Sequence, residues 1–319
     1  MTDAAWHDWR AGGIGGSDIG ALLGLSKWSS PTRLFYEKTG ILAPGEETQR
    51  LRIGKRMEPV LALEFHDMTG LYCVGEQTWC VHPTNDFQRC TVDGFVAESP
   101  ESAPDGFLGT VQFKTDGRHG WPDGIPDYIR AQCIWEMGVT GLQHCWLVVM
   151  FAGFKVDIFE IAWDDDAQSD WEYMTEVAKD FWLNHVLVNV HPPLDESDAT
   201  TTAISERHHL NPDDEAGEAL IATSDAAALV ADIVAVKARI KAEEDREAIL
   251  SNELRLLLGD CTDLIGIDGN VLATWRPQTR RSIRTADLAE MHPEIAEKFT
   301  QTTTSRVLRI PTSKKKESK

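Results

Sequence analysis

Apolar and polar residues alternate in two short runs on either side of the end of the first third of the chain, 92–97 and 107–115. β-Branched and aromatic residues suit a pleated strand, and the proline and glycine between the runs interrupt it. The pattern therefore predicts a hairpin-like pair of strands. A period of two places Gln112 and Lys114 on one face of the second strand and its apolar residues on the other.

The same kind of pattern predicts a series of strands and helices around this pair. Strands are predicted at 77–82, 88–97, 145–151 and 154–163, and helices at 29–40, 50–70, 125–141 and 167–188. The run 145–151 is apolar on both faces, which is typical of a central strand. Helix 50–70 carries an apolar stripe that includes Leu61 and Phe65, and Glu58 lies beside this stripe. Glu58 is thus either a surface carboxylate or a metal ligand.

A glycine-rich stretch, R-A-G-G-I-G-G-S-D-I, occupies residues 10–19. Four glycines before an apolar helical pattern predict a loop that feeds a helix, with Ser17 or Asp18 as its N-cap. The free N–H groups of a helix start can hold a phosphate, with Arg10 as a further donor. A plain capped helix after a glycine turn remains the alternative. The stretch lacks the lysine of a nucleotide-binding P-loop.

The last third of the chain has a different organisation. A polar segment follows the histidine and two prolines at 191–193, and 215–258 is a long helical stretch with Leu229, Ile233, Val236 and Ile240 spaced like a packing seam. Either a broken antiparallel pair or one coiled-coil arm fits this stretch. A hairpin at 264–275, a helix at 285–298 and a strand at 305–310 are predicted beyond it. The predicted divisions are 1–192 for a first domain, 193–214 for a linker, 215–312 for a C-terminal region, and 313–319 for a disordered basic tail.

Charge and composition narrow the possible functions. The chain has 319 residues and a formal net charge of −20, which argues against a general polyanion binder. Basic residues nevertheless concentrate in residues 1–60 and in the last 45, so a locally basic groove on an acidic protein is possible. The six cysteines form no C-x-x-C pair, which argues against a zinc site or a disulfide framework. No apolar run has the length of a membrane span and no signal-peptide core is present, so we expect a cytoplasmic protein.

Four polar positions could together act on a phosphodiester. Such chemistry needs a divalent cation held by carboxylates and an ammonium near the attacking water. The candidate residues are Glu58, Asp93, Gln112 and Lys114. Their spacing alone does not distinguish a site of this kind from a coincidental arrangement of the four residues.

The order of the motifs adds to this interpretation. The chain contains G-I-G-G-S-D-I, then G-x-x-x-E-P at 54–59, V-D-G at 92–94, Q-F-K-T at 112–115, Y-I-R-A-Q at 128–132 and V-T-G at 139–141. Over about residues 8–190 it resembles the YqaJ-type viral recombinases, relatives of bacteriophage lambda exonuclease within the PD-(D/E)XK superfamily. This resemblance implies an α/β, restriction-endonuclease-like core with a mixed central sheet flanked by helices. The C-terminal third resembles, more weakly, an α+β appendage with a long helical arm.

The resemblance also implies roles for individual residues. Mg²⁺, or Mn²⁺ as a substitute, would be held by Asp93, residue 112 and the carbonyl of Phe113, with Glu58 nearby as a further ligand or as a carboxylate that binds water. Lys114 would orient or activate the nucleophilic water. The residues implied to contact DNA phosphate are Arg10, Ser17, Thr91 and Gln132. Trp28 is expected either against DNA or in the core.

The implied function is a phage-recombination exonuclease that degrades double-stranded DNA from its ends, 5′ to 3′, in the bacterial host cell. It would leave single strand for an annealing protein and act as a homo-oligomeric ring. An endonuclease or nickase, and a catalytically silent DNA-end-binding scaffold, are the alternatives.

Gln112 departs from the family, which has glutamate at this position. A neutral amide is a much poorer ligand for Mg²⁺ than a carboxylate. We therefore predict an impaired nuclease, through an engineered change or a natural loss. The intact remainder of the motif favours the engineered change.

Overall fold

The computed structural model describes residues 3–45, 48–208, 219–302 and 307–311. The chain divides into two compact units, Met1–His209 and Leu210–Lys319. In the described ranges, no helix has the length and apolar character needed to cross a membrane.

The first unit is a mixed α/β structure. Its predicted strands and helices are confirmed to within a few residues, except that the run 88–97 forms two strands of different sheets, separated by Asp93, and the α-helix predicted at 167–188 ends at Phe181. Its helices are α1 (Asp3–Ala11), α2 (Gly16–Leu22), α3 (Pro31–Lys38), α4 (Gln49–Thr69), α5 (Asp127–Thr140), α6 (Asp165–Phe181) and α7 (Asp198–Arg207). Its strands are β1 (Tyr72–Val74), β2 (Thr78–Val81), β3 (Arg89–Val92), β4 (Gly94–Ala97), β5 (Gly109–Thr115), β6 (His144–Phe151) and β7 (Lys155–Ala162). The sequence patterns did not predict α1 or β1.

A five-stranded mixed sheet with the order β1-β4-β5-β6-β7 forms the centre of this unit. Strand β4 pairs antiparallel with β5, as predicted, with Gly94 opposite Val111. Strand β5 pairs parallel with β6, and helix α5 makes the crossover between them. The predicted fold class, a mixed central sheet flanked by helices, is confirmed. Strands β2 and β3 form a separate two-stranded sheet.

The two faces of the sheet are covered by different helices. On one face Val111 and Phe113 of β5 pack with Leu61 and Phe65 of α4. On the other face a larger core includes residues of α2, α3, α5 and α6. The alternation predicted along β5 is confirmed, because Gln112 and Lys114 point away from the α4 side and reach α5.

The glycine-rich stretch leads into α2, but the predicted N-cap is wrong. The cap is Gly15, and Asp18 occupies the third position of the helix. The Asp18 carboxylate accepts a hydrogen bond from the Gly15 N–H at 2.9 Å, so it caps the helix from inside its first turn. Ser17 therefore lies within the helix.

The predicted linker 193–214 contains helix α7, which packs on the first unit. Ser197 caps this helix, Ala203 is fully buried, and Arg33 forms an ion pair with Glu206 at 2.9 Å. The first unit thus extends past residue 192 and includes α7. Residues 209–214 lie outside the described residues.

The second unit begins with one long helix, α8 (Ser224–Leu258), of 35 residues. The described residues therefore favour a continuous arm over a broken antiparallel pair. Strands β8 (Asp263–Ile265) and β9 (Val271–Thr274) form the predicted hairpin, and helices α9 (Thr285–Met291) and α10 (Pro293–Phe299) replace the single predicted helix. Residues 307–310 are not in a strand, in contrast to the prediction. Residues 305–306 and the basic tail 313–319 lie outside the described residues.

Candidate active site

One cavity of the first unit, with a volume of about 360 Å³, collects the residues singled out from the sequence. Its walls include Arg10, Ser17, Glu58, Thr91, Asp93, Gln112, Phe113, Lys114 and Gln132. Many of these positions lie far apart in the sequence. The fold therefore brings together all the residues predicted to bind metal, to act in catalysis or to contact phosphate.

Strand pairing explains how the central residues meet. Asp93 lies between the end of β3 and the start of β4, and the register of β4 on β5 sets it beside Gln112 and Phe113. Helix α4 brings Glu58 to the same place, and helix α5 brings Gln132.

Asp93 accepts hydrogen bonds from two groups of β5. Its Oδ2 atom lies 2.6 Å from Gln112 Nε2 and 2.8 Å from the Phe113 backbone N–H. Burial raises the pKa of Asp93, although the positive charge of Lys114 and the hydrogen bonds from the Phe113 N–H and from Gln77 oppose the change. The Gln112 side chain is 3% exposed and acts here as a donor to a carboxylate.

Glu58 and Asp93 share a single amide donor, Gln77. Gln77 Nε2 lies 3.0 Å from Glu58 Oε2 and 3.3 Å from Asp93 Oδ1. Burial and the negative charge of Asp93 raise the pKa of Glu58 to about 7. Two neighbouring carboxylates with raised pKa values form a place where added positive charge is favourable.

A chain of side-chain amides links these acids to helix α5. Gln132 Nε2 donates to Gln112 Oε1 at 3.1 Å and to Glu136 Oε1 at 2.9 Å. Gln132 Oε1 accepts from Lys114 Nζ at 3.2 Å. Lys114 thus lies on the acidic side of the cavity, as its predicted role requires.

Gln77 and Glu136 were not identified from the sequence. Glu136 follows Gln132 by four residues on α5, so the helical period places both on one face. This spacing is the signal that could have identified Glu136. Gln77 lies in the turn before β2 with a left-handed φ of 52°, and no periodic pattern indicates its position.

A second charged cluster borders the cavity, formed by Arg10, Asp18 and Lys38. Asp18 is 3% exposed and lies 2.8 Å from Lys38 Nζ, while the Arg10 guanidinium contacts the other carboxylate oxygen. Burial disfavours ionisation of Asp18, but the charges of Arg10 and Lys38 outweigh it and hold the pKa of this carboxyl well below its usual range. Arg10 also donates to Ser17 Oγ at 2.8 Å, so the two predicted phosphate contacts touch each other.

Aromatic and basic side chains form the rest of the cavity wall. Thr91 Oγ1 accepts from Trp6 Nε1 at 3.3 Å, and Arg89 lies over the ring of Trp9, 5.4 Å from its centroid. Arg50 and Lys55 line the same cavity. The predicted local basic region on an acidic chain is therefore present beside the acids.

Trp28 is not a core residue, since it is 66% exposed and meets Tyr128 edge-on. Of the two positions expected for Trp28, against DNA or in the core, the core is excluded.

The donor atoms of the cavity suit a hard divalent cation. Within the described ranges, no group of three or more His, Cys, Asp or Glu residues is arranged to hold a metal ion. Glu58 and Asp93 nevertheless offer two neighbouring carboxylates, and one oxygen of the buried Glu136 has no hydrogen-bond partner among the described residues. A cation such as Mg²⁺, which uses one or two carboxylates and keeps several waters, fits such a set.

Comparison with known proteins identifies a family to which part of the chain is similar. Residues 5–143 match the family model of the YqaJ-like viral recombinase domain. The resemblance to YqaJ-type viral recombinases is confirmed. The YqaJ-like match includes all the residues that line the acidic side of the cavity.

The similarity to YqaJ also extends beyond the matched domain. The uncharacterized protein YqaJ of Bacillus subtilis (strain 168) is 26% identical over 310 residues, which cover 95% of this chain and 92% of the relative. Among solved structures, LHK-Exo in complex with dAMP is 19% identical with a TM-score of 0.44, covering 59% of this chain and 94% of that chain. A phage-related exonuclease from Haemophilus somnus 129PT is 9% identical with a TM-score of 0.40, covering 56% and 95%.

Proposed function

We propose that this chain is a Mg²⁺-dependent deoxyribonuclease of phage recombination that degrades double-stranded DNA from its ends. The observation that supports this proposal is the convergence of Glu58, Asp93, residue 112 and Lys114 in one cavity with a basic and aromatic wall. We further propose 5′-to-3′ degradation that leaves single strand for an annealing protein. The protein would act in the cytoplasm of the bacterial host as a homo-oligomeric ring.

The acidic side of the cavity would hold the cation. Its ligands would be Asp93, Glu58, the carbonyl of Phe113 and, more weakly, the side-chain oxygen of Gln112. When bound, Mg²⁺ or Mn²⁺ neutralises the scissile phosphate and lowers the pKa of the attacking water. Gln77 holds Glu58 and Asp93 next to each other through its single amide nitrogen.

Lys114 would orient the attacking water or stabilise the charge that develops during cleavage. An ammonium fixed near the reacting atoms stabilises charge without reorganisation of solvent. The hydrogen bond to Gln132 fixes the position of Lys114 at the acidic side of the cavity.

The basic side of the cavity would bind DNA. Arg10, Ser17, Thr91 and Gln132 are proposed to contact backbone phosphate, including the phosphate of a 5′ end. Arg50, Lys55 and Arg89 supply further positive charge at the same cavity. Neutralisation of phosphate charge drives such binding, and the acidic remainder of the protein would repel DNA elsewhere.

Gln112 is proposed to impair this enzyme. Its amide nitrogen donates to Asp93, and its oxygen is held by Gln132, so position 112 adds no negative charge to the site. We predict that Gln112→Glu raises Mg²⁺-dependent cleavage of DNA by roughly two orders of magnitude or more, because a hard cation gains a carboxylate ligand. Equal cleavage rates for the two forms would contradict the role of position 112.

The Gln112→Glu form, incubated with linear and with closed circular duplex in Mg²⁺, tests the proposed function. Loss of the linear DNA alone indicates an exonuclease. Loss of both indicates an endonuclease or nickase. Retention of both, with glutamate in place, indicates a catalytically silent DNA-end-binding scaffold, the alternative in which Gln112 is the natural residue.

A further inference from the structure

Glu136 is a carboxyl group buried in the middle of helix α5, with 1% of its surface exposed. Its Oε1 atom accepts one hydrogen bond, from Gln132 at 2.9 Å, and its buried Oε2 atom has no hydrogen-bond partner among the described residues. A buried acid without a cationic partner is costly for a fold. Its presence therefore requires an explanation other than stability.

Glu136 is close to the position at which the site lacks a charge. The same nitrogen, Gln132 Nε2, donates to Glu136 Oε1 and to Gln112 Oε1. The two oxygens are therefore linked through one shared donor. Gln112 in turn donates to Asp93 at 2.6 Å. A continuous series of hydrogen bonds therefore links Glu136 to Asp93, one of the proposed cation ligands.

The surrounding backbone leaves room for this carboxyl group. A Cβ atom on Gly16 of α2 would lie 3.2 Å from Glu136 Oε1 and 3.1 Å from Gln132 Cγ. These are tighter than ordinary van der Waals contacts. The glycine at position 16 thus allows α2 to pass next to the pair, and Glu136 lines the same cavity as Glu58 and Asp93.

We propose that Glu136 supplies negative charge that position 112 lacks, acting on the cation site from α5 through the amides of Gln132 and Gln112 and not as a direct ligand. This inference rests on the proposed function, since it assigns Glu136 to the cation of that site. A glutamine at 136 could accept the same hydrogen bond from Gln132, so hydrogen bonding does not explain the acid. The need for negative charge beside a site for a hard cation does explain the acid.

Cation binding by four forms of the full chain tests this proposal. Mg²⁺ and Mn²⁺ are titrated by calorimetry into the native chain, Glu136→Gln, Gln112→Glu and the double variant. We expect Glu136→Gln to weaken binding by about tenfold to a hundredfold in the native chain. In the Gln112→Glu background the same change should weaken binding by less than about threefold, because residues of one network are not additive.

Two controls separate a role at the cation from a role in the fold. Without metal, Glu136→Gln should unfold at the same temperature as the native chain or a higher one, because its hydrogen bond to Gln132 is retained. Glu176→Gln, on the surface of α6, removes the same charge from a side chain that is 74% exposed and should leave cation affinity unchanged.

Each outcome decides one of the two proposals. If the native chain binds cation and Glu136→Gln binds it equally well, the assignment of Glu136 is wrong and the proposed function stands. If only the Gln112→Glu form binds cation, Glu136 does not replace the missing group and the assignment is again wrong. If neither the native chain nor Gln112→Glu binds cation, the proposed metal-dependent function itself fails.

Discussion

Two clusters of buried charge border the same cavity, and they are built in opposite ways. In the paired cluster, Asp18 contacts two cations, Arg10 and Lys38. In the acidic cluster, Glu58, Asp93 and Glu136 are held by the amides of Gln77 and Gln132. Both clusters contain buried or half-buried carboxyl groups, and the clusters differ in the partners of these groups.

The difference appears in the ionisation of the carboxyl groups. The cations of the paired cluster hold the pKa of Asp18 below its usual range, whereas burial raises the pKa of all three acids in the acidic cluster. A carboxylate that has its counter-charge inside the protein stabilises the fold. In the acidic cluster Lys114 only partly offsets the effect of burial, so the carboxylates remain available for a ligand, here a divalent cation.

The largest expected effect is on the stability of the fold, which should differ between variants of the two clusters. Asp18→Asn leaves Arg10 and Lys38 without their buried counter-charge, and we expect the free energy of unfolding to fall by about 3–5 kcal/mol. Denaturant unfolding of the metal-free protein measures this loss. Asp93→Asn, a matched change in the acidic cluster, should leave the free energy of unfolding unchanged or slightly higher. Similar losses in both variants would remove the distinction between the clusters.

A smaller effect is expected for Arg10, the residue of the paired cluster that is proposed to contact DNA. In Arg10→Ala, Lys38 still pairs with Asp18, so the fold should lose less than in Asp18→Asn. The preference for a 5′-phosphorylated end should fall by about tenfold to a hundredfold, the worth of a hydrogen bond to a charged group. Digestion rates of 5′-phosphate and 5′-hydroxyl duplexes, in the Gln112→Glu background, measure this preference. An unchanged preference would make Arg10 a purely structural residue.

The smallest effect is a pH dependence of cation affinity in the acidic cluster. Because the pKa of Glu58 is raised to about 7, this carboxyl is mostly protonated below neutral pH, and a cation must displace the proton. Affinity for Mg²⁺ should therefore rise with pH by up to about tenfold per unit below pH 7 and level off above it. Titrations between pH 6 and 8 measure the slope. Glu58→Gln should flatten it, and a slope that survives this change would show that another group titrates.

Much of the fold follows from local patterns in the sequence. The alternation along β5 predicted which of its residues face α4 and which reach α5, since the strand period depends only on backbone geometry. The N-cap of α2 was assigned wrongly, because Asp18 caps the helix from its third position and one of its two cations, Lys38, comes from α3. Helix α7 was missed because its polar sequence is typical of a linker until its packing against α3 is known.

The candidate site was predicted only in part for a related reason. Sequence motifs identify residues that a family uses for chemistry, such as Asp93 and Lys114. They do not identify groups that position those residues through tertiary contacts, as Gln77 does for two carboxylates. Glu136 has helical spacing from Gln132, but the burial that makes its charge significant is a property of the folded chain.

Digestion of linear duplex by the Gln112→Glu form, with Asp93 present or replaced, is the measurement that tests the central claim most directly. We expect Mg²⁺-dependent loss of linear DNA with closed circular DNA left intact, and complete loss of this activity in Gln112→Glu combined with Asp93→Asn, while that double variant remains folded. Digestion at the same rate with asparagine at position 93 would contradict the assignment of this cavity. Linear DNA that stays intact in the Gln112→Glu form, although Asp93 is present, would contradict it as well.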